Sequence, residues 1–289
     1  MHPKVLVLGA NGMLGHMLCR KLPDHFKITA CVRQKNNAFS KKVPHNVNIR
    51  EGFNLFDTSL LESIIQDEQP DWIINCIGVI KQSKDVSDIP QMYHINGFFP
   101  HQLAKVALKF NAKVLHFSTD CVFNGKADGI YTINSIPTAE DDYGKSKLLG
   151  ELNYEHCLTL RTSIVGRELS RHSSLFDWFI SQKGTTVKGF ANALYTGLTT
   201  LEVARAVQHI IEMPTQLSGC YQLASNSISK YDLLQKINKS LNLNTTIIKD
   251  TEFRCNRRLC GETFEKKSGF KVNNWDEMIQ EFTNDNINY

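Results

Sequence analysis

At 289 residues the chain has room for about two domains, or for one large α/β unit with an appended lobe. Hydrophobic residues make up 42% and charged residues 21%, a globular balance that excludes a wholly disordered chain. Lys plus Arg number 33 against 29 Asp plus Glu; the resulting net charge of +4 suits anionic small-molecule ligands and lacks the concentrated basic face of a nucleic-acid binder.

Residues 5–8 are a short apolar run that ends at Gly9, and helical character follows over 12–22. A second strand is expected at 28–32, then a helix at 58–65 that Asp57 or Thr58 can cap, then a third apolar strand at 72–77. Helical periodicity runs from 92 to 110 with a bend at Pro100. A fourth strand at 113–118, a helix at 143–154 and a fifth strand at 158–162 complete the first half. This alternation predicts a parallel sheet with right-handed crossovers, covered on both faces, which is why its strands are apolar throughout. Beyond Gly166 the pattern loosens. Helices are expected near 175–181, 201–211, 230–241 and 275–282, with short strands near 221–223 and 246–248. The division expected is 1–165 as the first domain, with 199–212 returning to it, and 166–198 plus 213–289 as a smaller lobe.

No apolar stretch approaches membrane-spanning length, and the N-terminus lacks the pattern of a secretory signal. Eight cysteines are scattered without a CxxC; the nearest pair, Cys255 and Cys260, encloses Arg257 and Arg258. They read as reduced thiols of a cytoplasmic protein, and the ten histidines form no ligand-like cluster, so no metal is expected.

Gly9-Ala10-Asn11-Gly12-Met13-Leu14-Gly15 joins the first strand to the first helix. Glycines at this spacing permit a tight turn, close approach of a pyrophosphate to the backbone, and close helix–strand packing, while the helix N-terminus offers free N–H groups. At the end of the second strand an acid would favour a ribose 2′-hydroxyl. The sequence has Arg33 and Lys35, which suit a 2′-phosphate, so NADP(H) is expected.

Tyr143 and Lys147 stand four residues apart and share one helix face. Reduction of a carbonyl needs a proton donor beside the developing alkoxide, and a nearby ammonium would lower the Tyr143 pKa toward the working range. Ser118 and Thr119 end the fourth strand, where ligands of open α/β sheets lie, and either hydroxyl could hold the substrate oxygen.

The three glycines, the segment from Ser118 to Gly125, and Tyr143-Gly-Lys-Ser-Lys-Leu-Leu-Gly-Glu151 resemble the extended short-chain dehydrogenase/reductases, and among them the dTDP-4-dehydrorhamnose reductase family. Leu160 to Ser163 and Tyr195 to Glu202 also fit, and the likeness spans nearly the whole chain. The resemblance implies a Rossmann doubly wound parallel sheet with a smaller C-terminal α/β substrate lobe. It implies NADPH reduction of a 4-keto group on a nucleotide-linked deoxysugar, with Thr119, Tyr143 and Lys147 as the catalytic set. By motif position Gly9 to Gly15, Arg33, Asn54, Leu55, Cys76, Ile77, Gly78 and Ser118 would line the cofactor, together with Tyr143 and Lys147. Thr119, Asp120, Cys121 and Arg258 would meet the substrate.

Three departures concern the sugar. Cys121 stands where the family has tyrosine, Ile164 where it has tryptophan, and Leu198 where it has proline. A UDP-linked 2-acetamido-6-deoxy-4-ketosugar is therefore as plausible as the dTDP-linked rhamnose precursor. Trp178 and Phe179 could stack on a nucleobase but read first as core, and Asn96 could bind a backbone carbonyl near the site, as in related reductases. Two alternatives stay open: an epimerase or dehydratase with tightly held cofactor, and a regulatory subunit that binds NADP without turnover. A nucleotide sugar is the expected partner; a homodimer is left open, and neither nucleic acid nor membrane is expected.

Overall fold

The structure, a computed structural model, describes residues 2–34, 37–80, 88–169 and 174–285. Lys35 lies outside the described residues. In chain order the strands are β1 (Lys4–Leu8), β2 (Lys27–Cys31), β3 (Asn48–Arg50), β4 (Trp72–Asn75), β5 (Lys113–Thr119), β6 (Cys157–Thr162), β7 (Ile164–Val165), β8 (Thr186–Tyr195), β9 (Leu198–Thr199), β10 (Gly219–Gln222), β11 (Ile228–Ser229) and β12 (Thr246–Arg257). The helices are α1 (Met13–Lys21), α2 (Asn37–Lys42), α3 (Thr58–Glu68), α4 (Ile89–Tyr93), α5 (Phe99–Lys109), α6 (Asp142–Leu149), α7 (Leu175–Ser181), α8 (Thr200–Glu212), α9 (Lys230–Leu241), α10 (Glu262–Ser268) and α11 (Trp275–Asn284).

Seven strands form one parallel sheet in the order β10-β6-β5-β4-β1-β2-β3. Strand order reverses at β1, which pairs with β2 on one side and β4 on the other. The crevice beyond the carboxyl ends of these strands is where such sheets take ligands. Alternate residues of β1 serve separate cores: Val5 and Val7 join one apolar cluster, Leu6 and Leu8 the other. Fully buried, each contributes about 1.5–3 kcal/mol, and this two-sided burial is what an uninterrupted apolar strand encodes.

The second half builds a three-stranded sheet, β11-β8-β12, against which α9 packs. Helix α8 returns to pack on α1. The strand expected near 221–223 does not belong to this smaller sheet: β10 pairs with β6 and extends the central one. The helix expected over 92–110 is α4 and α5 joined by a π-helical turn, His94–Phe98, with Pro100 at the start of α5, where its missing N–H costs nothing. The helix expected over 143–154 ends at Leu149. Phe179 is buried as expected, whereas Trp178 is exposed.

Candidate functional site

The turn after β1 is shaped by its backbone. Gly9 has φ +77°, left-handed, and a side chain there would strike Cys76 and Ile77 in the turn after β4. Gly12 donates to the Gly9 carbonyl at 3.0 Å and caps α1 without any side-chain acceptor, and no acid occupies the first turn of α1. Its leading N–H groups are thus left for an anion. Asn11 ties this turn to the one after β2, its Nδ2 donating to the Gln34 carbonyl at 2.8 Å, while its Oδ1 is buried with no partner among the described residues. An uncapped helix start and an orphaned buried acceptor fit the phosphates and ribose of a dinucleotide. Arg33, just after β2, is exposed.

The turn after β4 is fixed from below. Asn75 accepts from the Ile77 N–H at 3.1 Å, and its amide meets His116 Nδ1 at 3.1 Å in the buried sheet. Asn96, fully buried in the π-helical turn, accepts from Val79 N–H at 2.9 Å and donates to the Val79 carbonyl and to Ser146 Oγ. It bonds a backbone carbonyl as expected, and it also joins the Cys76–Gly78 turn to α6, so its role here is to position both. Leu55 packs on the apolar cluster beneath the sheet edge, and Asn54 accepts from Phe56 N–H in its own turn.

α6 carries Tyr143 and Lys147. Asp141 caps it, accepting from Gly144 N–H at 2.7 Å. Gly144 lies so close to the Cys121 carbonyl that a side chain there would overlap it, which brings the start of α6 against the turn that follows β5. Thr119, at the end of β5, is thereby brought to Tyr143, and the two side chains hydrogen-bond. Thr119 Oγ1 also accepts from Cys121 N–H at 3.2 Å.

Lys147 is buried and donates to the Phe117 carbonyl at 2.6 Å. Burial lowers its pKa to about 8, against the pull of Glu151 and Cys76 in the other direction. Tyr143 moves the opposite way from expectation. Burial raises its pKa, helped by Cys121, Asp120 and Asp141, and only the hydrogen bond with Thr119 opposes this. Lys147 is not among the groups that act on Tyr143, so burial prevails over the lowering expected. A phenol kept protonated remains a proton donor at neutral pH.

Ser118 is turned away from the crevice: its hydroxyl donates to Glu151 at 2.7 Å. Glu151 also receives two bonds from Arg161, at 2.7 and 2.8 Å, in a pair that is nine-tenths buried. This buried carboxylate–guanidinium fork underlies the carboxyl ends of β5 and β6.

Arg258, expected at the substrate, has its guanidinium bonded to protein, with Nε on Asn256 Oδ1 of β12 at 2.8 Å and Nη2 on the Asp128 carbonyl, in the segment between β5 and α6, at 3.0 Å. Arg257 faces the site instead: Nη1 reaches Cys121 Sγ at 3.2 Å and Nε the Phe123 carbonyl at 3.1 Å. Adjacent residues of an extended chain point to opposite sides, so one residue of parity separates the two. Arg257, Cys121, Phe123, Asn124, Glu140 and Asp141 line a cavity of about 290 Å³. Sequence reasoning missed Lys230 and Tyr195. The Lys230 ammonium lies 3.4 Å over the Tyr195 ring, makes no hydrogen bond or ion pair among the described residues, and feels the charge of Asp120. The Tyr195 hydroxyl is buried without a partner among the described residues. A larger cavity, about 460 Å³, opens at the amino-terminal ends of the strands around Lys4, Lys27 and Glu68; it is far from this chemistry and from the ligand end of such sheets. Among the described residues no group of His, Cys, Asp or Glu could hold a metal, and no helix is long and apolar enough to cross a membrane.

A family model described as the RmlD substrate binding domain matches residues 3–287. Among curated relatives, the spore coat polysaccharide biosynthesis protein SpsK of Bacillus subtilis (strain 168) is 24% identical over 292 residues, 96% of each chain. The probable low-salt glycan biosynthesis reductase Agl14 of Haloferax volcanii is 28% identical, over 85% of this chain and 82% of its own. Methionine adenosyltransferase 2 subunit beta of Xenopus laevis is 26% identical, over 83% of this chain and 72% of its own. Among solved structures, dTDP-4-dehydrorhamnose reductase from Bacillus anthracis str. Ames, in complex with NADP, superposes with a TM-score of 0.82 at 19% identity, covering 98% of this chain and 99% of that one. At that identity the likeness speaks for the fold.

Proposed function

The chain belongs to the RmlD substrate-binding-domain family, and on that footing we propose that it is an NADPH-dependent reductase of the 4-keto group of a nucleotide-linked 6-deoxysugar, acting in the cytoplasm in cell-surface polysaccharide precursor synthesis. The observation that carries the reading is the hydrogen-bonded pair Thr119–Tyr143 at the end of β5, with Lys147 one helical turn on. The division of labour that goes with it gives 1–165 to NADP and the smaller lobe to the sugar nucleotide.

Gly9, the Ala10–Leu14 backbone and Gly15 would hold the pyrophosphate, Arg33 the 2′-phosphate, the Cys76–Gly78 turn the adjoining ribose, and Lys147 the nicotinamide ribose. Bound there, NADPH supplies hydride. The chain's own residues do the rest. Thr119 orients the ketone oxygen. Tyr143, kept protonated by burial, gives that oxygen its proton. Lys147 places a positive charge beneath the developing alkoxide. Arg257 and Lys230 are like charges that act on one another, and they receive the substrate diphosphate in place of Arg258. Asp120 and Cys121 face the sugar.

The test is a panel of dTDP- and UDP-linked 4-keto-6-deoxyhexoses, scored by loss of NADPH absorbance and by product analysis. One NADPH consumed per new C4 hydroxyl is expected. An isomerised sugar with no NADPH consumed would replace the reading with an epimerase. The Xenopus laevis relative, by its name a subunit of a transferase, keeps a second reading in view. Ligand binding by thermal shift with no turnover across the panel, and an enzyme that co-purifies, would make this chain a regulatory subunit.

A further inference from the structure

We propose that Cys121 is a modification site: hydrogen peroxide reacts at its sulfur, and the oxidised side chain closes the cavity that Arg257 lines. The closing half rests on that cavity being the substrate site; the reactivity half does not.

A thiol reacts as its thiolate, so a reactive cysteine needs access and neighbouring positive charge. Cys121 has both. It is half-buried, outside any disulfide, and lines the 290 Å³ cavity. The Arg257 guanidinium touches its sulfur at 3.2 Å. Lys230 is the second cation. Its ammonium lacks any hydrogen-bond acceptor or ion pair among the described residues, is packed over Tyr195, and acts electrostatically on both Cys121 and Cys255. Glu140 and Asp141 line the same cavity and, with nearby Asp120 and any charge on Tyr143, work against the thiolate. The Arg257 guanidinium is the group in hydrogen-bond contact with the sulfur that favours the thiolate.

The other cysteines lack this combination. Burial pushes Cys31, Cys157 and Cys220 up to about 12 and raises Cys19 and Cys76 as well, so these stay thiols. Cys255 feels the same cations and is half-buried like Cys121, but it does not line the cavity, and no guanidinium contacts its sulfur among the described residues. Cys260 has no guanidinium in contact among the described residues.

In the reaction the thiolate attacks one peroxide oxygen. An S–O bond forms, the O–O bond breaks, and hydroxide leaves and takes up a proton as water. Sulfur is oxidised by two electrons to a sulfenate and peroxide is reduced. Two equivalents of a small thiol then return the cysteine, giving a disulfide of the reductant and water. The added oxygen and its charge sit where Arg257 would otherwise meet the substrate.

The experiment treats the full chain, loaded with NADP⁺, with a small excess of hydrogen peroxide. Sulfenate is trapped with dimedone and located by peptide mass spectrometry. The adduct is expected on Cys121 before any other cysteine, and UDP or dTDP should slow it about tenfold when the nucleotide is present at ten times its dissociation constant. Arg257→Gln and Lys230→Gln, checked for an unchanged melting temperature, should each slow it about tenfold, the change in thiolate fraction for one pKa unit. Equal labelling of Cys255 or Cys260, or an unchanged Cys121 rate in both variants, overturns the proposal. If Arg257→Gln does not fold, Lys230→Gln and the wild-type distribution of label still decide it. Selective labelling that neither nucleotide slows removes the closing half and counts against the substrate reading, while the reactive thiol stands.

Discussion

The two sides of the crevice are built from different material. The side proposed for the dinucleotide is made of backbone: a left-handed Gly9, the bare N-terminus of α1, and turns that Asn75 and Asn96 hold from behind. The other side is made of side chains drawn from separate elements: Thr119 and Cys121 after β5, Arg257 from β12, Lys230 from α9 and Tyr195 from β8. A backbone site tolerates change wherever glycine and parity are kept. A side-chain site changes its ligand with each substitution. Mutations should therefore sort into two classes, those that spare cofactor binding and those that spare everything but the cofactor.

The largest expected effect is Tyr143→Phe. It removes the proton donor and should lower turnover by about 10²–10⁴-fold, with NADPH affinity, read by fluorescence titration, unchanged. A parallel loss of NADPH affinity would mean that the two sides are not separable. Next is Glu151→Ala, which strands Arg161 as a buried unpaired charge and frees the Ser118 hydroxyl. Because the pair is nine-tenths buried, the cost should be about 3–5 kcal/mol, visible in denaturant unfolding and striking both sides at once through the common floor.

The glycine turn and the helix that follows it were legible in the sequence because their signal is local. Glycine spacing, an apolar run before it and a helix after it all fall within residues 5–22. The parallel sheet with crossover helices was legible from the same alternation. The substrate side was not, for a physical reason. β12 is an edge strand, largely exposed, whose sequence TIIKDTEFRCNR has no sustained apolar run, so only 246–248 was expected of its twelve residues. Without the strand, the parity that separates Arg257 from Arg258 could not be read. Lys230 is the first residue of α9, and nothing local marks it as a cation laid over an aromatic ring from another element. The Tyr143–Lys147 spacing was read correctly as one helix face, but the contact of Lys147 with Phe117 depends on β5, which the helix pattern does not contain.

Exchanging the two neighbouring arginines sharpens the comparison. Arg257→Gln should weaken binding of UDP or dTDP by about tenfold or more, from loss of a charge-assisted contact of about 1.5–3 kcal/mol, while Arg258→Gln leaves it within twofold. Equal losses would show that the loop, not the guanidinium, recognises the nucleotide. The pH profile then separates chemistry from stability at a single residue. Lys147 has a folded pKa of about 8 against an ordinary value of 10.5. Turnover should fall as pH rises through about 8 and the ammonium is lost. Stability should move the other way. Folding disfavours the charged form, a cost present in full below about pH 8 and relieved as pH climbs toward 10.5. A turnover profile flat to pH 10 would remove Lys147 from the proton chemistry.

The smallest effect tests the one side-chain contact expected on the backbone side. Arg33 is exposed at the end of β2, so whatever it contributes is screened by solvent and counts only through a ligand that meets it. Arg33→Ala should leave NADH affinity unchanged and reduce NADPH affinity by about tenfold at low ionic strength, a difference that shrinks as salt is added. If both cofactors lose equally, Arg33 supports the adenine turn rather than the 2′-phosphate. The preference for NADPH would then have to come from the backbone around Asn11 and Gln34, and the division of the crevice into a backbone side and a side-chain side would hold even more strictly.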